Sequence, residues 1–124
     1  MTARTVLLVE DEMFVALDIQ MTLEDEGWQV SGPFATAREA LEFLDDNSVH
    51  CAILDVRLAD GDVFPVADRL KKNEIPFVFH SGHANPRKLE EQYPASLVCQ
   101  KPCHPAALVS TLKSFAEKRD TFVA

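Results

Sequence analysis

The sequence predicts an α/β domain in which five strands alternate with five helices, forming a doubly wound parallel sheet covered by helices on both faces. Two patterns carry this reading. Short runs rich in branched residues recur, most clearly Thr5 to Val9 and Cys51 to Val56, as expected of strands buried on both faces. Between the runs lie longer stretches whose apolar residues return at three- and four-residue intervals, the spacing of amphipathic helices. A third observation concerns chemistry: the first run ends in Glu10-Asp11-Glu12 and the third delivers Asp55. Ligands of open α/β sheets bind outside the carboxyl ends of the strands.

Taken in order, the first strand covers Thr5 to Val9. A helix from Met13 places Phe14, Leu17, Met21 and Leu23 inward and stops at Gly27. The second strand spans Trp28 to Ser31 and is punctuated by Gly32-Pro33. Thr36 and Glu39 form a capping box for a helix whose apolar face is Ala37, Ala40, Leu41 and Leu44. The central strand ends in Asp55. After Asp60-Gly61, a helix over about 62–72 carries Val63, Val66, Ala67 and Leu70, with Pro65 tolerated in its first turn. The fourth strand runs from Ile75 to His80, with Pro76 at its start. Asn85-Pro86 opens a short, poorly apolar helix anchored by Leu89 and stopped by Tyr93-Pro94. Leu97 to Gln100 is the fifth strand. A last helix begins near Pro105, with Leu108, Val109, Leu112, Phe115 and Ala116 inward, and a frayed tail is expected over 118–124.

Size and composition exclude several classes of function. A chain of 124 residues, 47% hydrophobic and 26% charged, suits one domain with one core. Its net charge of −8 and the lack of a basic stripe argue against a nucleic-acid partner. No run is long enough for a membrane span and no signal-peptide pattern opens the chain, so a cytoplasmic location is expected. Cys51, Cys99 and Cys103 are an odd set without framework spacing, and no disulfide is expected. The grouping of Cys99, Cys103 and His104 lacks a fourth ligand for zinc.

The carboxylates also point to a strand order. A flavodoxin-like arrangement, 2-1-3-4-5, has its ligand crevice between strands one and three, the two strands that deliver Glu10-Asp11 and Asp55. Three acids at one rim raise each other's pKa unless a cation joins them. Oxygen-only ligation suits a hard divalent ion such as magnesium. Lys101 leaves the fifth strand over the same rim, and Ser81 ends the fourth. A carboxylate nucleophile, a cation, an ammonium and a hydroxyl are the parts that phosphoryl transfer uses.

Glu10-Asp11, Asp55, Ser81 and Lys101-Pro102, each after its own strand, resemble the receiver domain of two-component response regulators over about residues 4–117, within a single domain spanning 1–124. The resemblance implies that Asp55 is phosphorylated by a histidine kinase or a histidine phosphotransfer protein. It implies that Mg2+ (or Mn2+) is held by Glu10, Asp11, Asp55 and the backbone carbonyl of Arg57. Ser81 and Lys101 would contact the phosphoryl group, Arg57, Gly82 and His83 would modulate its lifetime, and the peptide before Pro102 would be cis. Pro76 to His83 and Leu54 to Leu58 further resemble an alphaproteobacterial subgroup of receivers marked by a Pro-Phe-x-Phe-Ala-Thr-Gly-Tyr motif, many of them single-domain.

Several positions depart from the family. The aromatic usually found three residues before the lysine is Val98, the subgroup's alanine, threonine and tyrosine are His80, Ser81 and His83, and Ala59 replaces a common proline. His80 is expected to be a satisfied rim residue and His83 a solvated one. The function expected is that of a stand-alone phosphoacceptor, not an enzyme in the ordinary sense. It would signal to a downstream protein through its fourth helix, fifth strand and fifth helix. A phosphate sink or relay intermediate, and a constitutive unphosphorylated interaction module, are the alternatives.

Overall fold

In a computed structural model, the described residues are 4–82, 85–94 and 96–123, with side chains described up to residue 114. The central layer forms because its strands are apolar on both sides. Strand β1 (Thr5–Val9) has residues 6–9 wholly shielded from solvent, and β3 (Cys51–Asp55) and β4 (Phe77–Ser81) are buried throughout. With β2 (Gln29–Phe34) and β5 (Ser96–Gln100) they make a five-stranded sheet in the order β2-β1-β3-β4-β5, every pairing parallel. This is the expected architecture and strand order, and it sets the ends of β1 and β3 side by side.

Side-chain alternation divides the core in two. Leu7, Val9, Ala52, Leu54, Phe77 and Phe79 face α2 (Ala37–Asp46), α3 (Phe64–Lys72) and α4 (Pro86–Gln92). Val6, Leu8, Cys51, Ile53 and Val78 face α1 (Met13–Asp25) and α5 (Pro105–Val123). Phe115, Ala116 and the tail expected over 118–124 fall where side chains are not described.

Local chemistry explains most boundaries. The Thr36 hydroxyl accepts from Glu39 N at 3.1 Å and donates to Glu39 Oε1 at 3.0 Å, so the capping pair forms at the start of α2. The same helix receives a second cap from afar, since the Asp60 carboxylate accepts from Ala37 N at 2.9 Å and Arg38 N at 3.2 Å. These bonds hold the Asp60 carboxyl below its usual pKa. Ala59-Asp60 is the turn of a small antiparallel hairpin, Arg57–Leu58 against Gly61–Asp62. Helix α3 therefore starts at Phe64, two residues later than the sequence suggests. At α4, the Asn85 side chain accepts from Arg87 N at 3.0 Å and Pro86 opens the first turn.

Three expectations are corrected. Strand β2 continues through Gly32-Pro33, because it lies at the sheet edge where a residue without an N–H interrupts no second ladder. Gly32 makes this path possible: its φ is +113° and a Cβ there would lie 2.5 Å from the Leu8 carbonyl oxygen. Gly32→Ala is therefore expected to lose ~2 kcal/mol or more, measured as a lower denaturant midpoint; an unchanged midpoint would mean the strand can take another path.

The second correction is the orientation of α1. Its buried residues are Ala16, Ile19 and Leu23, while Met13, Phe14, Leu17 and Met21 face solvent, Phe14 being 86% exposed. This helix is apolar on most of its circumference, so spacing alone admits more than one inner face, and packing on β1, β2 and α5 selects the stripe with the smaller Ala16. The third concerns Tyr93, which follows α4 as expected but is itself core, 2% exposed.

Candidate functional site

Four strand ends and the hairpin after β3 build the site. Asp55 closes β3 and is 7% exposed; Glu10 follows β1 and is 3% exposed, while Asp11 beside it is open to solvent. One carboxylate oxygen from each of the three lies within 4.8 Å of the others. Lys101 arrives from the end of β5, where its backbone N donates to the Ser81 carbonyl at 2.8 Å and ties the ends of β4 and β5 together. Its Nζ lies 3.4 Å from Asp55 Oδ2 and 3.5 Å from Glu10 Oε1. Asp11, Asp55, Arg57, Ser81, Gly82 and Lys101 line one open cavity of about 600 Å3.

Remaining candidates fall nearby or outside. Gly82 sits where any side chain would meet the Lys101 stem at 3.7 Å. The Lys101-Pro102 peptide is cis, and Pro102 lines a neighbouring groove of about 500 Å3 together with Val15, Ile19, His80 and Cys103. His83 lies outside the described residues. Val98 is partly buried against the α2-α3-α4 half of the core.

Sequence reasoning gives Glu12, Phe64 and Asp62 no role in the site, and gives His80 a different one. Glu12 donates its backbone N to Glu10 Oε2 at 3.2 Å and orients that carboxylate. Phe64, at the first position of α3, and Asp62, just before it, supply an aromatic and an acidic wall to the cavity; the hairpin that aims them has no strong sequence signal beyond Asp60-Gly61. His80 was expected to be a satisfied rim residue, yet it is 3% exposed and neither ring nitrogen has a hydrogen-bond partner. Its register partner in β3 is Asp55 itself, and it lines the groove next to the site.

Burial and like charge dominate the electrostatics. Burial, then the neighbouring Asp55, push the Glu10 carboxyl up to about 8. Burial disfavours the Lys101 ammonium, but Glu10 and Asp55 more than offset it and its pKa is raised. His80 is pushed down, by burial and then by Lys101, with Asp55 opposing. The cluster thus holds more negative charge than one lysine neutralises, and Glu10 Oε1 is buried without a hydrogen-bond partner. Carboxylate oxygens in this arrangement fit a hard divalent cation.

Comparison with known proteins agrees with the geometry. The profile of the response regulator receiver domain matches residues 6–113. The phyllosphere-induced regulator PhyR of Methylorubrum extorquens is 31% identical over 107 residues, which is 84% of this chain and 40% of that protein. Across the curated relatives it matches, the chain spans 33 to 48% of their length. Among solved structures, a response regulator receiver protein from Sinorhizobium medicae superposes with a TM-score of 0.85 at 28% identity, over 94% of this chain and 97% of that one. SdrG from Sphingomonas melonis gives 0.76 at 31% identity, over 93% and 98%.

Proposed function

The chain belongs to the response regulator receiver domain family, and from that premise we propose that it is a phosphoacceptor switch in which Asp55 takes a phosphoryl group from a phosphohistidine. The observation that carries the proposal is the meeting of Asp55 with Lys101 at 3.4 Å beside Glu10 and Asp11, residues drawn from the ends of β3, β5 and β1. An Asp55 carboxylate oxygen attacks phosphorus, the P–N bond to the donor imidazole breaks, and an acyl phosphate forms on Asp55. Lys101 and the Ser81 hydroxyl would donate to the transferred oxygens. Glu10, Asp11, Asp55 and the Arg57 carbonyl would hold Mg2+ or Mn2+, which supplies the positive charge that the transferring oxygens require. Arg57, Gly82 and His83 would tune how long the acyl phosphate lasts. Intact mass after incubation with a small phosphodonor and magnesium tests the assignment; no adduct on the wild-type protein would overturn it.

A protein donor must also dock, and the solvent face of α1 supports this. Met13, Phe14, Leu17 and Met21 are 71, 86, 44 and 62% exposed, and Phe14 lies three residues past Asp11 at the rim. Apolar side chains clustered in this way on a surface mark protein contact. Phe14→Ala is expected to slow phosphotransfer from a protein donor at least tenfold, a loss of ~1.4 kcal/mol, while leaving uptake from a small phosphodonor unchanged. Equal slowing with both donors would place the defect in the site and not in docking.

Two finer readings accompany the proposal. We favour a place within the alphaproteobacterial subgroup, because Pro76 to Gly82 and Leu54 to Leu58 follow that subgroup's pattern. The chain would act in the cytoplasm on a downstream protein through α4, β5 and α5. Output that survives substitutions across the α4, β5 and α5 surface would overturn this choice of face. Val98 favours a second reading, a phosphate sink or relay intermediate, since an aromatic is missing where receivers usually carry one. Fast return of the phosphoryl group to a histidine donor would select the sink.

A further inference from the structure

Four aromatic rings fill the layer between the sheet and the α3-α4 pair. Phe77 and Phe79 pack edge to face at 5.2 Å, and Tyr93 lies 5.7 and 5.5 Å from them. Phe64 stacks on Tyr93 at 6.1 Å with planes 14° apart and meets Phe79 at 6.5 Å. Of the four, Phe64 alone also lines the acidic cavity.

Tyr93 in turn controls α4. That helix is seven residues long and buries only Leu89 within its own span, so Tyr93 at its C-terminal cap is its second anchor. The Tyr93 N–H donates to the Leu89 carbonyl at 2.8 Å, and its carbonyl accepts from Ser96 N at 2.9 Å and Ser96 Oγ at 2.7 Å. The end of α4 and the start of β5 therefore hang on one residue. From α3, Asp68 accepts the Tyr93 hydroxyl at 2.7 Å, and the Lys71 ammonium sits 5.7 Å over the ring while donating to the Gln92 carbonyl at 3.2 Å.

From this packing we infer that Phe64 and Tyr93 are positioning residues that carry the state of the Asp55 cavity to α4, in place of the aromatic absent at Val98. The inference rests on the phosphoacceptor reading and deepens it. Its physical origin lies at Asp62, which lines the cavity and whose Oδ1 accepts from Phe64 N at 3.3 Å. Converting the Asp55 carboxylate to an acyl phosphate raises the negative charge at that position from one to about two, and the added charge repels Asp62. The first turn of α3 then shifts, Phe64 moves with it, and the stacked Tyr93 ring transmits the displacement to the end of α4.

Hydrogen exchange of the α4 amides, with beryllium fluoride and magnesium as the phosphoryl stand-in, tests the link. In the wild type, ligand addition should change α4 exchange several-fold. Phe64→Leu, compared at a beryllium fluoride concentration that saturates the variant's own site, should abolish that change, whereas Tyr93→Phe, which keeps the ring and loses the hydroxyl, should retain most of it. Phe64 is only half-buried, so Phe64→Leu remains informative even where Tyr93→Leu fails to fold. An α4 response equal to wild type in Phe64→Leu overturns the inference, as does a wild type that binds beryllium fluoride with no α4 response. Failure of the wild type to bind it defeats the phosphoacceptor reading instead.

Discussion

Asp55→Asn is expected to take up no phosphoryl group from a small phosphodonor in magnesium, whereas the wild-type protein gains one. An amide nitrogen is no substitute for the carboxylate oxygen that must bond phosphorus, so the loss should be complete. Lys101→Ala should react more slowly by roughly two to three orders of magnitude, the usual cost of removing one preorganised donor to a transferring group. The Asn variant should nevertheless be folded, and at least as stable as the wild type in the absence of cation. Asp55 is buried next to Glu10, and removing one of two crowded carboxylates relieves repulsion. Phosphoryl uptake by Asp55→Asn would move the acceptor to another residue, and a large loss of stability would mean that Asp55 is chiefly structural.

Proton and cation should compete at Glu10. Its pKa is about 8 in the folded protein against 4.5 for an ordinary glutamate, so between these values the folded state holds a proton that the unfolded chain has released. Stability in the absence of cation should then be greatest below about pH 4.5, as far as this group is concerned, and fall as pH rises to 8, by at most ~5 kcal/mol. Lys101 adds no slope in this window, since its raised pKa lies above it. A divalent cation that displaces the proton should bind more tightly as pH rises, approaching tenfold per pH unit. Chemical denaturation at pH 5.5 and 8, with and without magnesium, measures both effects. A flat profile without cation, or a magnesium effect independent of pH, would show Glu10 to be ionised throughout.

The sequence made the sheet and the rim of the site legible for a common reason: both depend on short-range pattern. Strands buried on both faces must be apolar throughout, so a polar residue such as Asp55 marks where the strand emerges. Glu10, Asp11, Ser81 and Lys101 were found by the same rule, and the parallel order brings them to one edge. The capping residues Thr36 and Asn85 were equally legible, because a cap acts within three residues of itself.

Where several local solutions exist, only the tertiary structure decides. An α1 that is apolar nearly all round can turn any of several stripes inward, and the available depth beneath it chose Ala16, Ile19 and Leu23, leaving Phe14 in solvent. Tyr93 before Pro94 reads as a helix stop, and its burial depends on Phe64, Phe77 and Phe79, distant in sequence. His80 follows the apolar run of β4, and its two unpartnered nitrogens arise only because β3 sets Asp55 alongside and β1 sets Glu10 3.9 Å away. The sequence by itself determined which groups reach the rim, since strand periodicity and end position are properties of a few adjacent residues. What lies behind that rim, and which face of α1 meets solvent, follow from contacts between segments far apart in the chain, and only the folded packing selects among them.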